Sequence, residues 1–219
     1  MSQLDETAGE QLVVDSGAHE RKSVLGSYWT ASRLFVAVSV MLFGAGAFSY
    51  FYLHSLNNNA LWRAPGQRPS SFISVPVLVL TVAASLLYVV VARRAERPEA
   101  RGNDYRVAAG ISCVLLLIAA LIQFWGMRRL SFFPGSSGYA SVYVAVMPLF
   151  GIWLLIGAYW AEVLLARSVR VRWVLSPVGE NADSDEAAAF AGSLNGSRLF
   201  IGFLGLLAVF LYVLFSVLK

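Results

Sequence analysis

Hydrophobic and polar positions along the chain fall into long blocks with no alternation. Five apolar runs, at 34–53, 72–92, 107–125, 140–165 and 199–218, are separated by polar, arginine-bearing connectors. Each run is long enough to cross roughly 30 Å of hydrocarbon as a helix of about 20 residues. None alternates as a barrel strand must. Backbone groups in lipid have to be satisfied within the segment, so the pattern predicts helices. The fold class is therefore all-α: a polytopic membrane helix bundle with five transmembrane helices over residues 31–219. A polar cytoplasmic tail at 1–30 precedes it, and the stretch 173–197, acidic and rich in small residues, reads as a flexible cytoplasmic loop with room for a short helix near Asp185–Phe190. The fourth run has the length to tilt or to project beyond the bilayer.

Composition sharpens this picture. Of the 219 residues 58% are hydrophobic and only 14% are charged, against about 25% in a soluble domain. Mean hydropathy is +0.64. The single cysteine, Cys113, lies inside an apolar run, which excludes a disulfide framework and a cysteine-based metal cluster. Two histidines, His19 and His54, are too few for a haem or copper centre in this chain. The first thirty residues carry Asp5, Glu6, Glu10, Asp15 and Glu20 and lack the apolar core of a signal peptide.

The formal charge of +4 and pI near 9.4 do not read as nucleic-acid binding, because the basic residues gather at the ends of apolar runs. Twelve Lys/Arg fall in the N-terminal tail and in the connectors after runs two and four; five fall on the opposite side. The positive-inside rule then predicts a cytoplasmic N-terminus and an external C-terminus.

Helices in lipid associate by close packing, which small residues permit. Ala37, Ala45 and Ser49 share one face of the first run, and Ala108, Ser112 and Ala119 share one of the third. Gly157 and Ala161 are spaced as a small pair in the fourth, and Gly202 and Gly205 lie close in the fifth. These residues serve either packing within the bundle or docking onto another membrane subunit. Tyr50, Phe51, Tyr52, Trp125, Tyr139 and Tyr143 fall at the outer boundary and read as an aromatic belt. Glu162 is the one carboxylate embedded in a run, near its end, and reads as snorkelled or arginine-paired. His54 reads as a solvated interfacial residue. Thr81, Ser85 and Tyr88 share a face of the second run, and Gln123 lies near the outer end of the third. Such side chains make interhelical hydrogen bonds. Pro76 and Pro148 each either kink a helix or are tolerated in its first turns. There is no phosphate-binding glycine loop, nucleophile elbow or metal-binding histidine pair. The near absence of ionisable groups at mid-membrane argues against a transporter.

The segment Val38–Ser55, "VSVMLFGAGAFSYFYLHS", resembles the "SEVMFFAGLFAAYFYLR" helix of subunit III of the haem-copper oxidases, the group that includes cytochrome c oxidase. "LIQFWGMRR" places Gln123 where that family has Gln-x-x-Glu, and "GYASVYVAVMPLFGIWLLIG" follows the family's "YGSxFFxxTGFHGLHVxIG". The resemblance covers about residues 30–170 and, more loosely, 198–218. Shorter bacterial members of the family have five helices. The family's buried glutamate falls on Ser39, the carboxylate of Gln-x-x-Glu on Gly126, and the two histidines of HGLH on Phe150 and Trp153. Tyr50, Tyr52, Gln123, Gly151 and Gly157 are retained.

What the resemblance implies is an accessory subunit without a cofactor of its own, in the bacterial cytoplasmic membrane. Haem and copper belong to the partner, the catalytic subunit I, which this chain and other oxidase subunits would surround. In the family, subunit III binds membrane lipids and stabilises the assembly. The implied helix-packing or subunit-contact residues are Ala45, Ser49, Tyr50, Tyr52, Gln123, Gly151, Gly157 and Ala161, with Ser39 marking the lost carboxylate. A role in proton uptake is placed in doubt by that loss. Three alternatives stay open: an accessory protein of a nitric oxide reductase system, an independent membrane enzyme or small membrane transporter, and an unrelated five-helix protein.

Overall fold

The computed structural model describes residues 3–56, 62–63, 66–67, 69–95, 103–170 and 184–218. Five helices account for nearly all of them: α1 (Gln3–Leu56), α2 (Ser71–Ala95), α3 (Asn103–Arg128), α4 (Gly138–Arg170) and α5 (Ser184–Tyr212). The last helix closes in a π-helical turn, Val213–Val217. All five are long and apolar enough to cross a membrane. The protein is thus an all-α, multi-pass membrane bundle, as the block pattern requires.

The helix boundaries depart from the sequence reading in two places. The polar tail is continuous in helix with the first span from Gln3 onward, which its Glu, Gln, Ala and Lys content favours. The expected loop at 173–197 is helical from Ser184, and Ser193, Leu194 and Ser197 are buried; residues 173–183 lie outside the described residues. Gly192, Ser193, Asn195, Gly196 and Ser197 resemble a loop composition. They form a helix because that helix must approach α1 closely: a Cβ on Gly196 would collide with the Ser32 side chain. Tertiary packing overrides weak intrinsic propensity here.

The helices form a ring in which α3 packs between α2 and α4, and α5 packs on α1 and α2. α4 and α5 are the most enclosed and α1 the least. Glycines set the closest approaches. A Cβ on Gly157 of α4 would sit 2.6 Å from Leu204 of α5, one on Gly151 would sit 2.9 Å from Phe124 of α3, and one on Gly205 would sit 2.8 Å from Ser85 of α2. Pro76 and Pro148 are both tolerated inside continuous helices, the first near the start of α2 and the second well within α4. Ser137 caps α4, its hydroxyl accepting from the Ala140 N–H at 3.0 Å. The turn before it uses Gly135 at φ +88°, a conformation that favours glycine.

Candidate functional site

Three layers of contacts join the helices, at mid-membrane and at the two ends of the bundle. The middle layer is built on α1 and α4. Ser39 is fully buried. Its hydroxyl donates to the Phe35 carbonyl at 2.7 Å and accepts from the Trp153 indole Nε1–H at 2.8 Å. The Trp153 ring is stacked with Phe35 at 6.0 Å and meets Phe43 edge-on at 5.7 Å. Phe35 also touches Phe200 of α5 at 5.1 Å. The indole N–H therefore has a fixed acceptor where no bulk water is available, and three helices share one aromatic cluster. Gln123 is buried in α3 and donates through Nε2 to the Met147 carbonyl of α4 at 3.3 Å.

One end is closed by the connector between α1 and α2. The Arg63 guanidinium lies 4.2 Å over the Tyr139 ring. Its Nε donates to the Gln67 carbonyl at 2.8 Å, and its Nη2 donates to the Tyr139 hydroxyl at 3.3 Å and to the Phe215 carbonyl at 3.4 Å. Tyr139 donates to the same Phe215 carbonyl at 2.9 Å. Phe215 belongs to the terminal π-helical turn, so a cation placed at its carbonyl complements the negative end of the helix. Gln67 extends the network by donating to Ser136 at 3.0 Å and accepting from Ser137. Beneath it, Tyr50 meets Trp62 at 4.9 Å and Phe215 at 5.7 Å, both edge-on. The other end is tied by Arg106, which donates to the Ser168 carbonyl at 2.8 Å, and by Tyr88 and Ser197 at 2.8 Å. Because Ser197 donates onward to the Leu194 carbonyl at 2.9 Å, Tyr88 is the donor of that pair.

The residues singled out from sequence separate into two groups. Ser39, Tyr50, Gln123, Gly151, Gly157 and Ala161 are buried inside the bundle. Ala45 and Tyr52 face outward, and Ser49 is half-buried with its hydroxyl bonded to the Ala45 carbonyl at 2.9 Å. Ala45 and Tyr52 thus lie on the exposed face of α1. The aromatic belt is likewise corrected. Phe51, Tyr52 and Trp125 are exposed as a belt requires, whereas Tyr50, Tyr139 and Tyr143 are buried in the end cluster. His54 is half-buried, edge-on to Trp62 at 5.3 Å. Glu162 is exposed on the outside of α4. Thr81, Ser85 and Tyr88 are all buried, as their shared face predicts.

Gly126, where the resemblance would put a carboxylate, is closed: a Cβ there would sit 2.6 Å from Ile73 of α2. From the sequence, Arg63 counts only as one of the five basic residues on the outer side, and Gln67 was missed. The signal was present in "LWRAPGQRPS", where two arginines, a tryptophan and a glutamine crowd a short connector. Among the described residues, no three His, Cys, Asp or Glu side chains come together as a metal site. No protein-family model matches the chain, and no curated protein matches it at a significant level.

Proposed function

We propose that the chain is an accessory, cofactor-free, subunit III-like component of a respiratory haem-copper oxidase. It stabilises the catalytic subunit, and the haem and copper of oxygen reduction belong to that partner. One observation carries the reading. Ser39 and Trp153 are the positions that two separate family motifs assign to the buried glutamate and to the second histidine of HGLH. They lie on different helices, 114 residues apart, and share a hydrogen bond of 2.8 Å. A chance register between unrelated helices gives no reason for two such marked positions to meet. The same register puts a glycine against Ile73 where the family has a carboxylate, so the substitutions read as one change, from ionisable contacts to packed ones.

The orientation belongs to this reading. The N-terminal end and the connectors after α2 and α4 carry twelve of the seventeen Lys/Arg, a bias that supports a cytoplasmic N-terminus and an external C-terminus in the bacterial cytoplasmic membrane of this reading.

The test is to capture the chain from mildly solubilised native membranes and identify what accompanies it. The reading expects a haem-containing catalytic subunit in stoichiometric amount. A monodisperse monomer without such a partner overturns it. A haem partner that reduces nitric oxide and not oxygen assigns the chain to the reductase system instead.

A further inference from the structure

Near the end of the bundle that Arg63 closes, a cavity of about 20 Å³ lies among α2, α3, α4 and α5. Gln123 of α3 and Tyr143 of α4 line it, and they are 3% and 6% exposed. Gln123 donates through Nε2 to the Met147 carbonyl at 3.3 Å, which leaves its Oε1 as an acceptor. Among the described residues, no group bonds that oxygen or the Tyr143 hydroxyl. Other unpartnered polar atoms of the bundle, such as the hydroxyls of Tyr50 and Tyr105, are sealed in protein. The two at the cavity are not sealed, and both residues border the same space.

A carbonyl and a hydroxyl left dry inside a membrane bundle destabilise it. The cavity therefore takes a species that makes hydrogen bonds, and its volume decides which. A single water needs roughly 10–15 Å³ of such space and two to four polar partners. Gln123 Oε1 accepts from it, and the Tyr143 hydroxyl can donate or accept. Ser216, half-buried in the terminal turn, offers a third partner.

Other occupants fit badly. Among the described residues no charged side chain lines the cavity, so an ion has no counter-charge there. An acyl chain would leave both oxygens dry. The way in is the bundle end itself, because Pro69, just before α2, and Ser74, in its first turn, line the cavity too. One wall is the π-helical turn, through Phe215 and Ser216, a helical irregularity that recurs at functional sites.

We propose that this cavity holds one ordered water, which donates to Gln123 Oε1 and shares a hydrogen bond with the Tyr143 hydroxyl. The water joins α3 to α4 beside the direct bond from Gln123 to the Met147 carbonyl, and it makes the Arg63 end of the bundle wet inside. The site rests on the geometry of the bundle and not on the identity of any partner, so it and the reading above fail separately.

The test is pulsed X-ray radiolysis of the full chain in phosphatidylcholine vesicles. Radiolysis splits a bound water, and the hydroxyl radical oxidises the side chain beside it. Met147 lines the cavity and is 8% exposed, whereas Met41, at the middle of the α1 span, is 76% exposed but faces acyl chains. Mass spectrometry reads the two methionine sulfoxides. The proposal expects Met147 to be oxidised faster than Met41. Tyr143→Phe keeps the ring contacts with Phe132 and Phe215 and removes one hydrogen bond of the water, which lowers Met147 oxidation by roughly two- to tenfold. Ala208→Val brings two methyls to the cavity wall and lowers it as well. Tyr159→Phe, on the outside of α4, leaves it unchanged. Circular dichroism and thermal midpoint, equal to the parent chain, mark the variants as folded, and Tyr143→Phe carries the test alone where Ala208→Val does not fold. Oxidation of Met147 no faster than that of Met41 overturns the proposal. So does undiminished oxidation in folded Tyr143→Phe or Ala208→Val, or an equal loss in Tyr143→Phe and Tyr159→Phe.

Discussion

Removing the Ser39 hydroxyl tests whether the contact between α1 and α4 is a unit or a coincidence of packing. In Ser39→Ala the Trp153 indole N–H loses its acceptor at 2.8 Å. The site lies near the middle of both spans, where water cannot substitute. An orphaned buried donor costs about 1–3 kcal/mol. In membranes the measured values for interhelical hydrogen bonds are smaller, averaging about 0.6 and reaching about 1.7 kcal/mol, because the separated helices also find partners. Alanine recovers up to roughly 0.5 kcal/mol through better helix propensity. The net expectation is a destabilisation of about 1 kcal/mol. Trp153→Phe behaves differently. It removes the donor itself, and Ser39 keeps its bond to the Phe35 carbonyl at 2.7 Å. Its cost, roughly 1–2 kcal/mol, is lost ring contact with Phe35 and Phe43. In the Trp153→Phe background, Ser39→Ala has nothing left to orphan and costs close to zero. The two changes are therefore coupled by about 1 kcal/mol. Reversible unfolding in mixed detergent micelles, followed by circular dichroism, measures all four chains. Additivity within about 0.3 kcal/mol, the behaviour of independent sites, refutes the reasoning.

Arg63→Ala removes a cation–π contact and three donated bonds from the connector end, at a cost of about 1.5–3 kcal/mol; hydrogen exchange at the Tyr139 amide, bonded to the Trp62 carbonyl, accelerates at least roughly tenfold, while the Arg106 end is unchanged. Gly157→Val drives a Cβ to within 2.6 Å of the buried Leu204 and adds two methyls, costing about 1–3 kcal/mol in overpacking; Ala45→Val, on the exposed face of α1, shifts stability by no more than about 0.5 kcal/mol, and thermal midpoints compare the two. Ser85→Ala deletes a buried hydroxyl that has no hydrogen-bond partner, so the variant is neutral or up to about 1 kcal/mol more stable in the same unfolding assay.

The chemistry-bearing positions were legible to different degrees. Gln123 and the Thr81, Ser85 and Tyr88 face stood out because polar atoms in an apolar run must turn toward protein, and all four are buried. The Arg63 cluster was not legible, because nothing in a connector's composition says that it folds back onto the bundle end. Burial of Tyr139 and Tyr143 depends on that same closure: without Trp62 and Phe132 over them they are the interfacial aromatics that their positions announce.

What the sequence alone determined is the number and helical nature of the spans, and which end of the bundle carries most of the positive charge. In lipid a segment must satisfy its own backbone, so secondary structure follows from a one-dimensional count of apolar residues. The tertiary structure alone decided which of the apolar side chains on each helix turn inward. Ser49 and Tyr50 are neighbours, yet one lies toward the outside and the other beneath Trp62. Met41 is 76% exposed and Phe43, two residues on, is buried. Hydropathy does not separate such pairs, because an apolar side chain is equally at home against lipid and against protein. Only the fit of Gly157 to Leu204, Gly151 to Phe124 and Trp153 to Ser39 does so.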